Sequence, residues 1–318
     1  MTTGTNSRTA LVTGGAGFIG SYVGRLLIEQ GWRVVVLDDL SLGTRERVPA
    51  SARLIVGDVR DPLAVRDALQ GVDVVLHLAA IVSIRASVEH FYRDAEVNLM
   101  GTVNLLNACA ERGIGKFVYA SSMAVYADSP TPEPISETYR LDPISPYGIA
   151  KLAGEKYALQ VADQFGFDAV ALRYFNTYGA GQTFTPYVGV ITIFIRRLLA
   201  NQAPVVFGDG EQRRDFVHVQ DVAAATVAAA ERDVTGVVLN VGTGIGTSVN
   251  EIAAMLCAKI APNMSPVHGL AQPGELRNSI ADIGQARTLL CFAPRRRLET
   301  DLDEVIARNQ RFERGARP

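Results

Sequence analysis

The chain has 318 residues, 48% of them hydrophobic, and a net charge of −2, which suits one large domain with a smaller one and argues against a basic surface for nucleic acid. No apolar run approaches the roughly 20 residues that a membrane span needs, and Met1–Arg8 lacks the apolar segment of a signal peptide. The three cysteines are too scattered for a disulfide framework or metal cluster, so we expect a cytoplasmic protein without a metal, nucleic-acid or membrane partner.

The first element is a short apolar strand, Ala10–Thr13, that runs into glycines spaced Gly14-x-x-Gly17-x-x-Gly20 before a helical pattern. Such glycines allow a tight turn, a close approach of the backbone to a pyrophosphate, and close packing of helix on strand. The N–H groups and positive dipole end of the helix, which begins near Phe18 and Ile19, then face the phosphates. This stretch predicts a dinucleotide site.

The second and third strands supply carboxylates at their ends. Asp38 follows the second strand, where a carboxylate accepts both adenosine ribose hydroxyls and repels a 2′-phosphate, so the predicted cofactor is NAD. Asp58, followed by Val59, comes after the third strand. It either meets the adenine amino group or caps the helix that starts at Asp61-Pro62.

From Arg8 to about Leu172, largely continuous apolar strands alternate with amphipathic helices, which predicts an α/β fold with a Rossmann-type doubly wound parallel sheet. Ligands on such a sheet bind beyond the carboxyl ends of the strands. Polar residues gather at those ends: after the fourth strand comes His77 with Leu78, Ala79 and Ala80, and after the fifth comes Ser122. We expect His77 to be a packed residue beside the cofactor.

A Pro- and Glu-rich stretch, 128–142, predicts a surface loop ahead of a helix that Ser145 caps and Pro146 begins. Tyr147 and Lys151 are spaced i, i+4 on this helix and share one face. A free phenol is a weak base at neutral pH, and a neighbouring ammonium together with a cationic nicotinamide lowers its pKa. With Ser122 at a strand end, the pair predicts proton transfer coupled to hydride transfer.

The later chain is less regular. A helix is predicted around Val190–Asn201, and the strand Val237–Val241 is predicted to rejoin the sheet. Residues 242–246 resemble a second glycine fingerprint, but Ser248 with Glu251 favours a capping box for the next helix. We predict an NAD-binding domain over 1–178, rejoined by about 215–245, and a smaller C-terminal α+β substrate domain over 179–214 and 246–318.

These motifs together resemble the extended short-chain dehydrogenase/reductase family, in particular its nucleotide-sugar epimerases and dehydratases. The matching segments span nearly the whole chain: residues 13–20, Leu37-Asp38, residues 77–80, Asn98 with Gly101-Thr102, Ser121-Ser122, Tyr147-x-x-x-Lys151, residues 173–176, residues 208–210, residues 214–216 and Pro273-Gly274-Glu275.

The resemblance implies roles for individual residues. Tyr147 would remove the proton from the sugar 4-hydroxyl, Lys151 would hold the nicotinamide ribose and lower the tyrosine pKa, and Ser122 would position the 4-oxygen. Further cofactor contacts are implied for Asp58, Val59, Leu78, Ala79, Ala80, Asn98, Lys151 and Tyr174. Contacts to a UDP-sugar are implied for Ser83, Asn176, Val190, Val206, Phe207, Arg214, Gln272, Glu275 and Ser279. For Arg214, a salt bridge with Asp215 or Asp221 is the alternative.

The fate of a 4-keto sugar separates the candidate activities. Related 4,6-dehydratases carry an acidic pair where this chain has Met123 and Ala124, so we favour 4-epimerisation of a UDP-hexose or UDP-N-acetylhexosamine. A bulky Met123 keeps a 4,6- or 5,6-elimination open. A simple oxidoreductase and an NAD-binding sensor without catalysis are further alternatives.

Residues in the C-terminal half of the chain bear on the identity of the substrate. Epimerases that exclude N-acetyl sugars tend to carry a bulky aromatic at the position of Ser279, so this small residue leaves room for a 2-acetamido group. Gln272 stands where many relatives have an arginine, for which Arg277 is a candidate substitute.

The family also commonly forms homodimers, here through the helices 95–111 and 147–165. Val97, Met100, Val103 and Leu106 are compatible with either a dimer interface or a core.

Overall fold

A computed structural model describes residues 7–182, 189–271 and 276–315. The strands are β1 Thr9–Thr13, β2 Arg33–Asp38, β3 Arg53–Val56, β4 Val74–His77, β5 Lys116–Ser122, β6 Asp168–Tyr174, β7 Asn176–Tyr178, β8 Val205–Phe207, β9 Arg213–His218, β10 Val237–Val241, β11 Gly246–Ser248, β12 Val267–Gly269 and β13 Asn278–Ser279. The helices are α1 Phe18–Glu29, α2 Pro62–Ala68, α3 Ile84–Glu89, α4 Phe91–Ala95, α5 Gly101–Arg112, α6 Pro146–Phe165, α7 Val190–Leu199, α8 Val219–Glu231, α9 Val249–Ile260, α10 Gly284–Leu290 and α11 Leu298–Gly315. A π-helical turn, Glu96–Met100, joins α4 to α5.

The main sheet has seven strands in the order β10-β6-β5-β4-β1-β2-β3, and every neighbouring pair in it is parallel. The strand order reverses between β1 and β4, the point at which ligands bind in doubly wound sheets. The predicted Rossmann-type sheet is confirmed, and β10 joins it through β6 as the apolar run Val237–Val241 predicted.

Helices cover both faces of this sheet. Successive residues of each strand point to opposite faces, so both faces present apolar side chains to these helices. On β1, Ala10 and Val12 pack into the core beside α1 and α8, whereas Leu11 packs into the core beside α2 and α5. Strands that are buried on both faces have continuous apolar sequences, as these strands do. The carboxyl ends of the strands therefore form the open edge of the layer.

A second, smaller group of elements carries a third core. It consists of a four-stranded sheet around β9, the pair β12–β8, and the helices α7, α9 and α11. Ser248 and Glu251 form the expected capping box at the start of α9. The glycine-rich turn before β11 holds the Asp215 carboxylate, which accepts hydrogen bonds from the N–H groups of Thr243 and Gly244 at 2.8 Å each. That turn is therefore filled by a side chain of the protein.

The structure decides one alternative that the sequence left open and adds an anchor to one predicted loop. Leu106 is 1% exposed in the core beside α2, so it belongs to the core and not to a dimer surface. The Pro- and Glu-rich loop is anchored at Ile135, whose N–H donates to the Ile280 carbonyl at 2.8 Å. Most of this loop is exposed or partly exposed, as its composition predicts, and Ile135 is a buried anchor within it.

No helix in the described ranges has the length and apolarity needed to cross a membrane. Across the same residues, no group of three or more His, Cys, Asp or Glu side chains is arranged to hold a metal ion.

Candidate active site

The glycine turn between β1 and α1 is shaped by close backbone contacts. Gly14 has a φ of +68°, and a Cβ there would lie 2.8 Å from the Ala79 nitrogen. A Cβ on Gly20 would lie 2.2 Å from the Gly14 carbonyl oxygen, so helix and turn meet at a distance that only glycine permits. Gly17 is the N-cap of α1 and supplies no side-chain cap, which leaves the N–H groups of the first turn facing outward.

Asp38 closes the other side of this turn. Its carboxylate accepts the Ala16 N–H at 2.9 Å and the Leu40 N–H at 2.8 Å, and the residue is 7% exposed at the carboxyl end of β2. Burial raises the pKa of Asp38, and the two hydrogen bonds oppose that rise. An ionised carboxylate has further lone pairs available beyond these two bonds.

Asp58 is neither an unpaired carboxylate nor the cap of a helix. Asp61 caps α2 by accepting the Leu63 N–H at 2.9 Å, so the capping alternative for Asp58 is wrong. Asp58 instead forms a 2.7 Å ion pair with Arg60, and that partner lowers its pKa. The prediction of an adenine contact stays untested. Val59 is buried, and its carbonyl accepts the Asn104 amide at 2.7 Å.

Thr13 links the ends of β1 and β4. Its hydroxyl lies 2.7 Å from His77 Nδ1 and accepts the Leu78 and Ala79 N–H groups at 3.2 and 3.1 Å. His77 Nε2 meets Thr102 at 2.9 Å, and burial together with the Lys151 charge lowers the His77 pKa to about 3. His77 is therefore a neutral, packed residue, as expected. The Leu78–Ala80 segment that it supports is half-buried beside the glycine turn.

Asn98 lies in the π-helical turn, and its side chain is hydrogen-bonded to the loop that follows β4. Its side-chain oxygen accepts the Ile81 N–H at 2.8 Å, and its amide donates to the Ile81 carbonyl at 3.0 Å and to Asp94 at 2.9 Å. Both amide hydrogens are used, so Asn98 holds the segment after β4 instead of donating to a cofactor. Ser83, nearby on that segment, caps α3 by accepting the Ala86 N–H at 3.0 Å.

The structure brings Tyr147, Lys151 and Ser122 together. Ser145 caps α6 by accepting the Gly148 N–H at 3.1 Å, which sets Tyr147 in the first turn and Lys151 in the second. Lys151 Nζ donates to the Ala120 carbonyl at 2.9 Å and lies 5.9 Å from the centre of the Tyr147 ring. Both residues are buried, and Ser122 ends β5 on the same edge.

The charges at this pair differ from the sequence expectation. Burial raises the pKa of Tyr147 to about 12; a hydrogen bond with Ser122 lowers it, and the Asp94 charge raises it. Burial lowers the pKa of Lys151 to about 8, and Asp94 opposes that change. In the protein alone Tyr147 is therefore a protonated phenol, because the cost of burying a phenolate outweighs the nearby ammonium.

Tyr174 ends β6, and both its hydroxyl and its ring make contacts within the protein. The hydroxyl meets Thr226 on α8 at 2.7 Å, burial raises the Tyr174 pKa, and the ring packs in the core beside α8. The Tyr174 hydroxyl is therefore already hydrogen-bonded within the protein, and the predicted cofactor contact of Tyr174 stays a prediction.

Of the described residues predicted to contact the substrate, all but Ser83 lie on the smaller group of elements. Asn176 begins β7 with a buried side-chain oxygen that has no hydrogen-bond partner among the described residues. Ser279 is 1% exposed, its buried hydroxyl also has no partner within those residues, and it pairs in register with Arg214. Two orphaned polar atoms near one arginine fit a site for a polar ligand.

The remaining predicted substrate residues differ in their placement. The Val206 side chain is fully buried in the third core, whereas Phe207 and Val190 are partly exposed, and the predicted substrate contacts of all three stay predictions. Gln272 and Glu275 lie outside the described residues. Arg277 ion-pairs with Asp209 at 2.8 Å.

Arg214 does not take the salt bridge considered from the sequence. Its guanidinium donates to the Leu276 carbonyl at 2.6 Å and the Arg277 carbonyl at 3.3 Å. Asp215 accepts backbone N–H groups of the Thr243 turn, and Asp221 accepts those of Arg295 and Arg296 at 3.1 and 3.0 Å.

Comparison with known proteins decides the family. The sequence model of the NAD dependent epimerase/dehydratase family matches residues 10–242. The chain belongs to this family. It is 38% identical to a putative UDP-glucose 4-epimerase of Methanocaldococcus jannaschii over 94% of this chain and 96% of the relative.

Two solved structures are similar to this family member over nearly their whole length. A UDP-glucose 4-epimerase of Thermotoga maritima with UDP-glucose has a TM-score of 0.92 at 36% identity, covering 96% of this chain and 99% of the other. A UDP-N-acetylglucosamine 4-epimerase of Methanobrevibacter ruminantium, in complex with UDP-N-acetylmuramic acid, has a TM-score of 0.91 at 33% identity, with coverage of 96% and 99%.

The residues present fit the cofactor of this NAD-dependent family. The glycine turn forms a cradle that a Cβ at Gly14 or Gly20 would fill, and the open N-terminus of α1 suits a pyrophosphate. Asp38 would hold the adenosine ribose, and Lys151 the nicotinamide ribose.

Sequence reasoning assigned no individual role to three residues of this site. Thr13 and Thr102 orient His77, and Asp94 lies beside the Tyr147–Lys151 pair. The i, i+4 spacing of Asp94 and Asn98 is a signal that was present in the sequence. The partners of the two threonines are distant in the chain, so no local pattern reveals them.

Proposed function

We propose that the chain is a cytoplasmic, NAD-dependent UDP-sugar 4-epimerase. The observation that carries this proposal is the meeting of Tyr147, Lys151 and Ser122 beside the glycine turn, at the edge where the strand order reverses. The 4-epimerases that resemble the chain over nearly its full length support the choice of substrate class.

The protein's own residues handle the proton at the sugar 4-hydroxyl. Ser122 holds the oxygen, and Tyr147 accepts the 4-hydroxyl proton and later returns a proton to the same 4-oxygen once the ring has turned over. NAD, when bound, supplies the oxidation at carbon 4 and the reduction that follows. The Tyr147 phenol requires extra positive charge to become a base, since its pKa is raised to about 12, chiefly by burial.

The UDP portion must stay bound while the 4-keto sugar turns over. Asn176 and Ser279 offer the buried polar atoms described above, and Arg214 offers a planar guanidinium for the diphosphate. These residues lie on the smaller group of elements, which we propose is the sugar-nucleotide-binding part of the chain.

Elimination is the competing outcome, and the turn after Ser122 argues against it. Met123 and Ala124 are 9% and 4% exposed and form a 3-10 turn on which α6 packs closely at Gly148. Neither side chain can transfer a proton, and Met123 packs into the core beside α8 instead of extending toward a sugar.

The size of residue 279 supports acceptance of an N-acetylhexosamine. Ser279 is fully buried beside Arg214, so a tyrosine at this position would need space that we propose the 2-acetamido group occupies. We expect UDP-N-acetylglucosamine to be converted to the galacto epimer.

Proton NMR of the purified protein with UDP-N-acetylglucosamine tests the function. A new galacto-configured H4 signal at constant total sugar establishes the epimerase, whereas vinyl signals or a 6-methyl doublet establish elimination. S279Y should abolish turnover of the acetylated sugar and retain that of UDP-glucose, and S279A is the control that should retain both. Unchanged turnover of the acetylated sugar by S279Y contradicts the proposed pocket.

We also propose that the chain is a homodimer through α4, α5 and α6, which pack side by side. These helices, with the π-helical turn that joins α4 to α5, expose large apolar side chains to solvent, as protein–protein interaction surfaces do. Their exposed fractions are 64% for Phe91, 71% for Tyr92, 56% for Met100, 56% for Ile149 and 48% for Tyr157. Light scattering should show a dimer that Y92E converts to a monomer, while L63E, at an exposed apolar residue on α2, leaves it intact. A monomeric wild type contradicts this.

A further inference from the structure

Asp94 is a buried carboxylate beside the Tyr147–Lys151 pair. It lies on α4 and is 2% exposed. One of its oxygens accepts the Asn98 amide at 2.9 Å, and the other, Oδ2, is buried with no hydrogen-bond partner in the described part of the chain. A buried anion with an unused oxygen is costly unless a nearby cation compensates its charge.

The cation placed to compensate it is Lys151 on α6, the helix against which α4 packs. Its ammonium donates to the Ala120 carbonyl and lies 5.1 Å from the centre of the Tyr119 ring. Burial raises the pKa of Asp94, and the Lys151 charge lowers it; burial lowers the pKa of Lys151, and the Asp94 charge raises it. Each residue therefore favours the ionised form of the other.

The other titratable groups around the ammonium do not supply this negative charge. His77 on β4 is neutral because its pKa is lowered to about 3. Tyr119 on β5 and Tyr147 on α6 are phenols whose pKa values burial raises. Glu155 on α6 is bound to Arg173 at 2.6 Å and accepts the Ser121 hydroxyl at 2.9 Å.

We propose that Asp94 is a positioning residue of the epimerase, with a separate task for each carboxylate oxygen. Its charge keeps the Lys151 ammonium protonated beside Tyr147, and its bond to Asn98 holds the Ile81 backbone that leads to Ser83. The proposal rests on the function proposed above, because the role concerns proton transfer at Tyr147.

The activity test compares D94N with E96Q. Glu96 lies two positions further along the chain, is partly exposed and pairs with Arg60 at 3.4 Å, so its neutralisation removes the same charge from the same segment. Without Asp94 the ammonium loses its proton at lower pH, and the alkaline midpoint of kcat should fall by about one pH unit. KM for the sugar nucleotide should stay within about twofold, since the change affects proton transfer and not binding.

E96Q should keep the wild-type midpoint. A D94N enzyme with lower kcat at every pH but an unchanged midpoint overturns the proposal, because that pattern reports only a structural defect.

A second test needs no turnover and uses thermal unfolding of D94N, K151M and the double variant. If the two charges compensate each other, the double variant loses less stability than the sum of the single changes. This holds also if D94N alone fails to fold, since D94N/K151M should then fold. Additive losses, or a double variant that is also unfolded, overturn the role of Asp94. A wild type that converts no UDP-sugar, together with non-additive losses, contradicts the proposed function and leaves the charge pairing established.

Discussion

The Lys151 ammonium donates a 2.9 Å hydrogen bond to the Ala120 carbonyl, and this bond ties α6 to the end of β5. Ser122 follows two residues later on the strand, and Tyr147 precedes Lys151 by one helical turn. The bond thus sets the distance between hydroxyl and phenol through the backbone of the central sheet. The groups that we propose for proton transfer therefore lie on rigid elements, as a site that depends on geometry requires.

Removing the phenolic oxygen should stop the chemistry without loosening the fold. For Y147F we expect kcat to fall by about 10²- to 10⁴-fold, the usual contribution of a general acid–base group, with unchanged NAD content. Y157F, on the exposed side of the same helix, should keep full activity. Turnover assays with measurement of bound NAD decide this, and an active Y147F enzyme contradicts the assigned role.

The buried amine should give the stability a defined pH dependence. Burial lowers the pKa of Lys151 from 10.5 to about 8, so between these values the unfolded chain binds a proton that the folded chain lacks. Stability relative to K151M should therefore rise with pH across this window, by about 1.4 kcal/mol per unit.

Urea unfolding of both proteins at several pH values between these limits measures the slope. A difference that is flat or falls with pH means that Lys151 keeps its proton in the folded protein.

The two glycines of α1 offer a matched pair of substitutions. In G20A the new Cβ would lie 2.2 Å from the Gly14 carbonyl oxygen, whereas in G24A the nearest atom is 3.8 Å away on Pro49. We expect G20A to lose NAD and stability, and G24A to gain about 0.5–1 kcal/mol from helix propensity. Thermal melts and NAD content distinguish them, and equal effects would show that contact at Gly20 is unimportant.

Neutralising Asp38 should weaken cofactor binding selectively. Its carboxylate accepts the Ala16 and Leu40 N–H groups, and we propose that it also accepts the adenosine ribose hydroxyls. Loss of a charge-assisted hydrogen bond costs about 1.5–3 kcal/mol, or roughly 10- to 150-fold in NAD affinity. The neighbour Asp39 is exposed and bonds only the Ser41 N–H and hydroxyl among the described residues, so D39N should bind NAD normally in calorimetry. Equal affinities for D38N and the wild type would remove Asp38 from the site.

Local features were predictable because they depend on neighbours along the chain. The cap at Ser145, the capping box at Ser248 and the glycine spacing each involve residues within a few positions of one another. The buried strands were readable from continuous apolar runs, and their alternation with helices predicted the parallel sheet. The Tyr147–Lys151 pair was visible for the same reason, since i, i+4 residues share a helix face.

The partners of buried polar groups were not predictable, because they come from distant parts of the chain. The Tyr174 hydroxyl meets Thr226, and the Thr243 turn surrounds Asp215; neither contact follows from local composition. The Asp58–Arg60 pair is local, and it was missed because the sequence alone did not show which aspartate caps α2.

The sequence by itself determined the fold and the cofactor class and brought Tyr147 and Lys151 to one helix face, since periodicity, turn chemistry and helix spacing are short-range properties. Only the tertiary structure decided the electrostatics of that pair. The Tyr147 pKa of about 12 and the influence of Asp94 depend on burial and on charges from separate helices, and burial is set by how the whole chain packs.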